Sequence, residues 1–88
     1  MKFEISKSFV KDTEPLPKKV KLVILEVIKE IQSAKVLGEI HDCKKLKGVE
    51  DIYRIRRGLY RVTFQYDGTM ATLKRVLPRG QIYKKHNL

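Results

Sequence analysis

Between Ile52 and Val76, polar and apolar residues alternate with a period of two, in three runs separated by Arg57-Gly58 and Asp67-Gly68. This pattern fits half-buried antiparallel strands and not a helix, because successive side chains of a strand point to opposite faces of a sheet. Asp-Gly between two alternating runs is a strong hairpin signal, since tight turns need backbone angles that glycine and aspartate tolerate. The sequence therefore predicts a meander of strands over Ile52–Arg56, Leu59–Tyr66 and Thr69–Val76, ended by Pro78 and Gly80.

A strand meander buries one face only if something covers it, and the amino-terminal half supplies the cover. Lys2–Ile5 reads as a short first strand, and Ser6 is placed to cap a short helix carrying Phe9 and Val10. Pro17 suits the first turn of a longer helix running to Lys35, where its missing N–H costs nothing. At 3.6 residues per turn, Val20, Val23, Ile24, Val27, Ile28, Ile31 and Ala34 share one stripe of that helix. Leu22 and Leu25 project from its otherwise polar side, against the preceding helix or toward a partner. Residues 39 to 48 read as a loop, and Gln81 to Leu88 as a basic tail. The expected architecture is α+β: a short N-terminal strand and two helices on one face of a mainly antiparallel four-stranded sheet, forming one domain over residues 1–88.

The charge balance narrows the function. Twenty Lys and Arg face ten Asp and Glu, a formal +10 on 88 residues, which suits a polyanionic or acidic partner. With 42% hydrophobic residues the chain can still fold. Cys43 is alone, so no internal disulfide is available and a reducing, cytoplasmic setting is expected. No apolar run approaches the length of a membrane span, and the first residues lack the apolar stretch of a secretory signal.

In the meander, alternation places Tyr53, Ile55, Tyr60, Val62, Phe64, Ala71 and Leu73 on the face that covers the helix. The other face carries Arg54, Arg56, Arg61, Thr63, Thr72 and Lys74. If both turns have two residues, Arg54 lies opposite Arg61 and Arg61 opposite Lys74, one cationic row across three strands. Like charges directly opposite destabilise a sheet, so the row calls for an anion from elsewhere. Rigidly held guanidinium groups suit phosphate, which their planar fork can bind through two oxygens. Glu39, Asp42, Glu50 and Asp51, or an acidic partner, are the alternative counter-charges. Lys44, Lys45 and Lys47 precede the meander, and Arg79, Tyr83, Lys84 and Lys85 follow it. Tyr83 is placed either to stack on an unpaired base or to pack on its own domain.

The order of these features matters more than any one of them: a Leu-x-Gly loop at Leu46, the strand Tyr53-Arg54-Ile55-Arg56, the strand Tyr60-Arg61-Val62 and a terminal Arg79-x-x-x-Tyr83. In that order, residues 44 to 85 resemble the second half of the RelE/ParE toxin superfamily, closest to its RelE branch of messenger RNA endonucleases. The amino-terminal half agrees in layout. The resemblance implies a type II toxin that cleaves messenger RNA in the ribosomal decoding site and is held inactive by a cognate antitoxin protein. By motif it implies catalytic roles for Arg54, Arg56, Arg61, Arg79 and Tyr83; beside them, the position of Lys44, Lys45, Lys47, Lys74, Lys84 and Lys85 around the basic face makes them RNA-binding candidates, and Leu22 and Leu25 are candidates for antitoxin contact. DNA would be met only through the antitoxin.

Metal-independent cleavage requires the ribose 2′-OH to attack the adjacent phosphate. The arginines supply charge stabilisation for the pentavalent phosphorane. No cofactor or metal is expected, since no His/Cys cluster or carboxylate pair has ligand spacing. A base is harder to name. Arginine, with a pKa above about 12, does not take up a proton at neutral pH, and family members often carry lysine where Arg54 stands. Tyr83 and His86 remain candidates, and few proton-transfer groups implies dependence on the ribosome to position the RNA. Two other readings stay open: a ParE-like gyrase poison, and a non-catalytic module that binds RNA or the ribosome.

Overall fold

A computed structural model describes residues 1–81. Its elements are β1 (Lys2–Ile5), α1 (Lys7–Thr13), α2 (Lys18–Ser33), a 3-10 turn (Leu37–Glu39), β2 (Cys43–Lys45), β3 (Ile52–Arg57), β4 (Tyr60–Tyr66) and β5 (Met70–Pro78). The strands form one sheet in the order β1-β5-β4-β3-β2, parallel only between β1 and β5. The α+β class and the two helices are as expected, but the sheet has five strands instead of four. The additional strand, Cys43–Lys45, lies in the segment expected to be a loop. Three residues are too few for a periodic signal, and they are extended because their backbone pairs with β3, Lys44 opposite Arg54.

Local signals start both helices. The Ser6 hydroxyl accepts the Phe9 N–H at 3.1 Å, satisfying one of the donors that a helix start leaves open. Pro17 stands just ahead of α2, where its carbonyl accepts from the N–H groups of Val20 and Lys21. The predicted stripe then faces inward: Ile24, Val27, Ile31 and Ala34 are buried, and Val20 and Ile28 pack at the margin. Across from them lie Ile55, Val62, Phe64, Ala71, Leu73 and Val76 of the sheet, with Phe9 of α1 and Ile40 completing the core. Each such large side chain removed from water contributes about 1.5–3 kcal/mol. Tyr53 stacks on its cross-strand partner Phe64 with ring centroids 5.5 Å apart. Leu46, Ile52 and Leu77 form a second, smaller cluster, with Val49 against it.

β1 pairs with β5 only as far as Ile5 opposite Leu73. Beyond that point α1 covers the strand edge. Ser6 donates from its N–H to the Leu73 carbonyl and from its hydroxyl to the Lys74 carbonyl. Asp12 then takes the place of a strand: its carboxylate accepts the Val76 N–H at 2.9 Å and the Arg75 Nε–H at 2.7 Å. An edge that would otherwise offer open donors is closed by a helix side chain.

Both hairpins turn one residue later than the sequence suggests. Arg57 pairs with Tyr60, so the first turn is Gly58-Leu59, and Asp67 N–H bonds Met70 carbonyl around Gly68-Thr69. Each glycine comes first in its turn, at φ 56 for Gly58 and φ 97 for Gly68, angles that side chains with a Cβ rarely adopt. The Asp67 carboxylate accepts the N–H groups of Thr69 and Met70, both at 2.8 Å. These two bonds hold its carboxyl below the ordinary range.

Candidate nucleic-acid interface

Moving both turns by one residue changes every partner on the arginine face without changing which face the β3 and β4 arginines occupy. The expected row is therefore corrected. Arg54 lies opposite Thr63, and Arg61 lies opposite Arg56 on one side and Leu77 on the other. Between β4 and β5 the register slips: Thr63 pairs with Arg75 but Phe64 with Leu73, leaving Lys74 as the extra residue of a bulge. Leu77 thus stands opposite Arg61 where Lys74 was expected, and Arg75 lies opposite Thr63. Two cross-strand rows result, Lys44–Arg54–Thr63–Arg75 and Arg56–Arg61–Leu77.

The counter-charges differ between the rows. Arg75 is held by Asp12, whose hydrogen bonds raise the guanidinium's pKa further. Arg54 and Arg56 share Asp42, which stands just ahead of β2: Oδ2 is 2.6 Å from Arg56 Nε, and Oδ1 is 3.6 Å from Arg54 Nη1. The hydrogen bond from Arg56 chiefly holds the Asp42 carboxyl below its ordinary range, against a smaller effect of burial and with help from both guanidinium charges. One of the carboxylates considered as a counter-charge is therefore present at the face.

Asp42 is delivered there by a clamp that alternation alone did not reveal. Arg57 Nη2 donates to Glu30 Oε2 of α2 at 2.7 Å, and its Nη1 to the His41 carbonyl at 2.8 Å. The His41 N–H in turn bonds Glu30 Oε1. Asp42 itself adopts φ 54 and accepts the Arg56 N–H on its carbonyl at 3.2 Å. Aspartate enters this left-handed region more readily than most residues with a Cβ. His41 serves through its backbone in this clamp.

At the centre of the face, polar capacity is left over. Arg54 Nη1 and Thr63 Oγ1 are both buried and have no hydrogen-bond partner among the described residues. They belong to directly paired positions. Arg61 Nη1 donates to the Gly58 and Tyr60 carbonyls at 2.9 and 3.0 Å, which fixes its guanidinium at the turn. Arg79 is exposed and reaches the same end of the sheet, its N–H donating to the Leu59 carbonyl at 2.7 Å. Four of the five residues assigned catalytic roles are thus gathered on or beside one sheet face. The fifth, Tyr83, lies outside the described residues, as do Lys84, Lys85 and His86.

The lysines divide. Lys44 pairs with Arg54 and shares its face, whereas Lys45 pairs with Tyr53 and so belongs to the opposite side. Lys47 is exposed in the segment leading to β3. Cys43 lies under α2 among the core residues, and burial pushes its thiol up to about 11, so it is a poor nucleophile at neutral pH. Among the described residues, no three of His, Cys, Asp and Glu converge as metal ligands would. Leu22 and Leu25 are exposed, and Leu25 lines a groove between α1 and α2 with Phe9, Val10, Ile24 and Ile28. Among the described residues, no helix is long and apolar enough to cross a membrane.

No protein-family model matches the chain. Individual relatives do. The toxin RelE3 of Methanocaldococcus jannaschii is 38% identical over 84 residues, spanning 94% of this chain and 96% of its own length. The crystal structure of a RelB–RelE antitoxin–toxin complex from Methanococcus jannaschii matches with a TM-score of 0.77 and 37% identity, over 90% of this chain and 93% of the matched chain. An archaeal RelE–RelB complex from Pyrococcus horikoshii OT3 matches with a TM-score of 0.72 and 31% identity, over 91% and 96% of the two chains. With likeness of this extent in both sequence and fold, the chain belongs to the RelE family of toxins.

Proposed function

We propose that this RelE toxin is a ribosome-dependent endoribonuclease that cleaves messenger RNA and so stops translation, and that a cognate antitoxin restrains it. The observation that carries the reading is the like-charge pair Arg56 opposite Arg61, with Arg54 next to it and Arg79 at the same sheet end. Directly opposed arginines lower the stability of a sheet, which makes sense if the face receives an anion.

Arg61 anchored at its turn, and Arg54 and Arg56 on a central strand, present cations whose positions change little on binding. Such preorganised charge stabilises the extra negative charge that develops on phosphate when the 2′-OH attacks. Among the described site residues none is a clear general base: Asp42 is held ionised by its arginines, and Cys43 is half-buried with its thiol held protonated. Catalysis then depends on RNA already bent into in-line geometry, a task for the ribosome, with Tyr83 as the tail's candidate proton carrier. Lys44 and Arg79 extend the cationic track for the RNA backbone, and Lys84 and Lys85 remain candidates for RNA binding from the sequence.

The partner in the two matched complexes is a RelB antitoxin. For this chain, the groove beside Leu25 and the exposed Leu22 offer an apolar surface that an antitoxin segment would cover.

The test is to map messenger RNA ends on ribosomes after brief induction, comparing the unmutated chain with Arg61→Ala and Tyr83→Phe. New 5′ ends inside codons are expected with the unmutated chain, with a loss of at least about a hundredfold in Arg61→Ala. Translational arrest without cleaved message, or full cleavage by Arg61→Ala, overturns the proposal.

A further inference from the structure

We propose that the Asp42 carboxylate occupies the seat of an RNA phosphate between Arg54 and Arg56, and that incoming RNA displaces it. This rests on the reading of the face as an RNA site. A carboxylate bridging two arginines is also what an ordinary structural ion pair looks like, so the fit of the carboxylate decides between them. It reaches Arg56 Nε at 2.6 Å but stays 3.6 Å from Arg54 Nη1, too far for a hydrogen bond. Arg54 Nη1 remains buried without a hydrogen-bond partner among the described residues, and so does Thr63 Oγ1 on the paired strand. A planar group with two oxygens leaves this donor and this hydroxyl unused. A tetrahedral phosphate has further oxygens to offer both, while taking over Arg56 Nε.

The seat is also open to exchange. The Arg56 side chain is 56% exposed, and ion pairs with a partner so exposed are weak. The main chain that carries Asp42 is fixed instead, by the Arg57–Glu30–His41 clamp and by the Arg56 N–H. Displacement therefore needs only a side-chain rotation. The consequence is selectivity: a stray anion competes with a tethered carboxylate, whereas an RNA held in register across several cations displaces it.

The sign of one substitution separates the two roles. Asp42→Asn keeps the shape and removes the charge. The probe is a 2′-O-methyl RNA trinucleotide, which cannot be cleaved, and the control is Glu26→Gln, an exposed charge on α2 across the sheet from the arginine face. If Asp42 holds the phosphate seat, Asp42→Asn binds the probe about tenfold tighter and Glu26→Gln no more than about twofold tighter. If Asp42 instead orients the arginines for RNA, Asp42→Asn binds more weakly, and the proposal is overturned. It is equally overturned if Asp42→Asn matches Glu26→Gln.

Should Asp42→Asn not fold, the Arg56 Nε–H signal of the unmutated chain answers the same question by NMR. It must shift when the probe is added, and an unmoved signal refutes displacement. Arg61→Ala keeps the two readings apart. Unchanged probe affinity in Arg61→Ala means that the face does not bind RNA, and both proposals fall. Lost affinity there without tightening in Asp42→Asn removes the seat alone.

Discussion

Thr63→Val should make the protein more stable and less able to hold RNA. Thr63 is fully buried in the middle strand of the arginine face, and its hydroxyl has no hydrogen-bond partner among the described residues. Leaving such a group dry and unpaired costs about 1–3 kcal/mol. Valine has nearly the same shape, removes that cost and adds roughly 0.8 kcal/mol of apolar burial for the new methyl group. Allowing for incomplete relief, the expected gain is about 1–2 kcal/mol. For a domain of this size each kcal/mol moves Tm by about 4–8 °C, so the change is well within reach of measurement. Urea denaturation is the assay, read as a higher midpoint at unchanged slope, which assigns the gain to stability and not to a changed unfolded state. In parallel, affinity for the non-cleavable trinucleotide should fall, because the hydroxyl offered to phosphate is gone. A variant less stable than the parent would refute the reasoning: Thr63 would then have a partner, such as an enclosed water, and the face would hold no spare polar capacity.

Two other perturbations test what holds the sheet in place. Asp12→Ala removes the acceptor of the Val76 N–H and of the Arg75 Nε–H and should cost about 2–3 kcal/mol in urea, whereas Asp12→Asn retains an oxygen for the N–H and should cost about half as much; equal losses would mean that α1 does not stand in for a strand. The Asp67 carboxyl is held below its ordinary 3.8 by the Met70 and Thr69 N–H groups. Its contribution is thus fully present above that pH and lost as pH falls through the lower folded value. Thermal melts across this acid range should show a shallower decline for Asp67→Asn than for the parent, and parallel curves would remove Asp67 from the acid response.

The strands and the long helix were readable because their periodicity survives folding: Ile24, Val27 and Ile31 face Ile55, Val62 and Phe64 as alternation and helical spacing require. Pairing across strands was less readable. Arg57-Gly58 looks like a turn in which glycine comes second, yet glycine comes first, because Gly58 and Gly68 take the positive φ there. A one-residue error in the first turn moved Arg54 from Arg61 to Thr63. The slip at Lys74 leaves no trace in composition, since it arises where Asp12 and Ser6 of a distant segment bind the β5 backbone. β2 and the delivery of Asp42 were hidden for a related reason: a three-residue strand is formed by its neighbour's edge, and the Glu30–Arg57 clamp joins residues far apart in sequence. What could be foreseen was the need for a counter-charge on the arginine face, with Asp42 among those named. Which carboxylate would reach it depended on tertiary geometry.

The strand order carries a consequence for how the protein is made. Among the described residues β5 is the last strand in sequence, yet it lies inside the sheet between β1 and β4. Ala71, Leu73 and Val76 complete the core only when that strand arrives, and the bond from Ser6 to Lys74 spans 68 residues. Contacts this distant must wait for the intervening chain, and they slow folding because loop closure precedes any gain from packing. While its earlier strands leave the ribosome, the nascent chain has neither a closed core nor an assembled arginine face. The arginine face of this RelE toxin is thus assembled only once β5 has been made, after every other strand of the sheet.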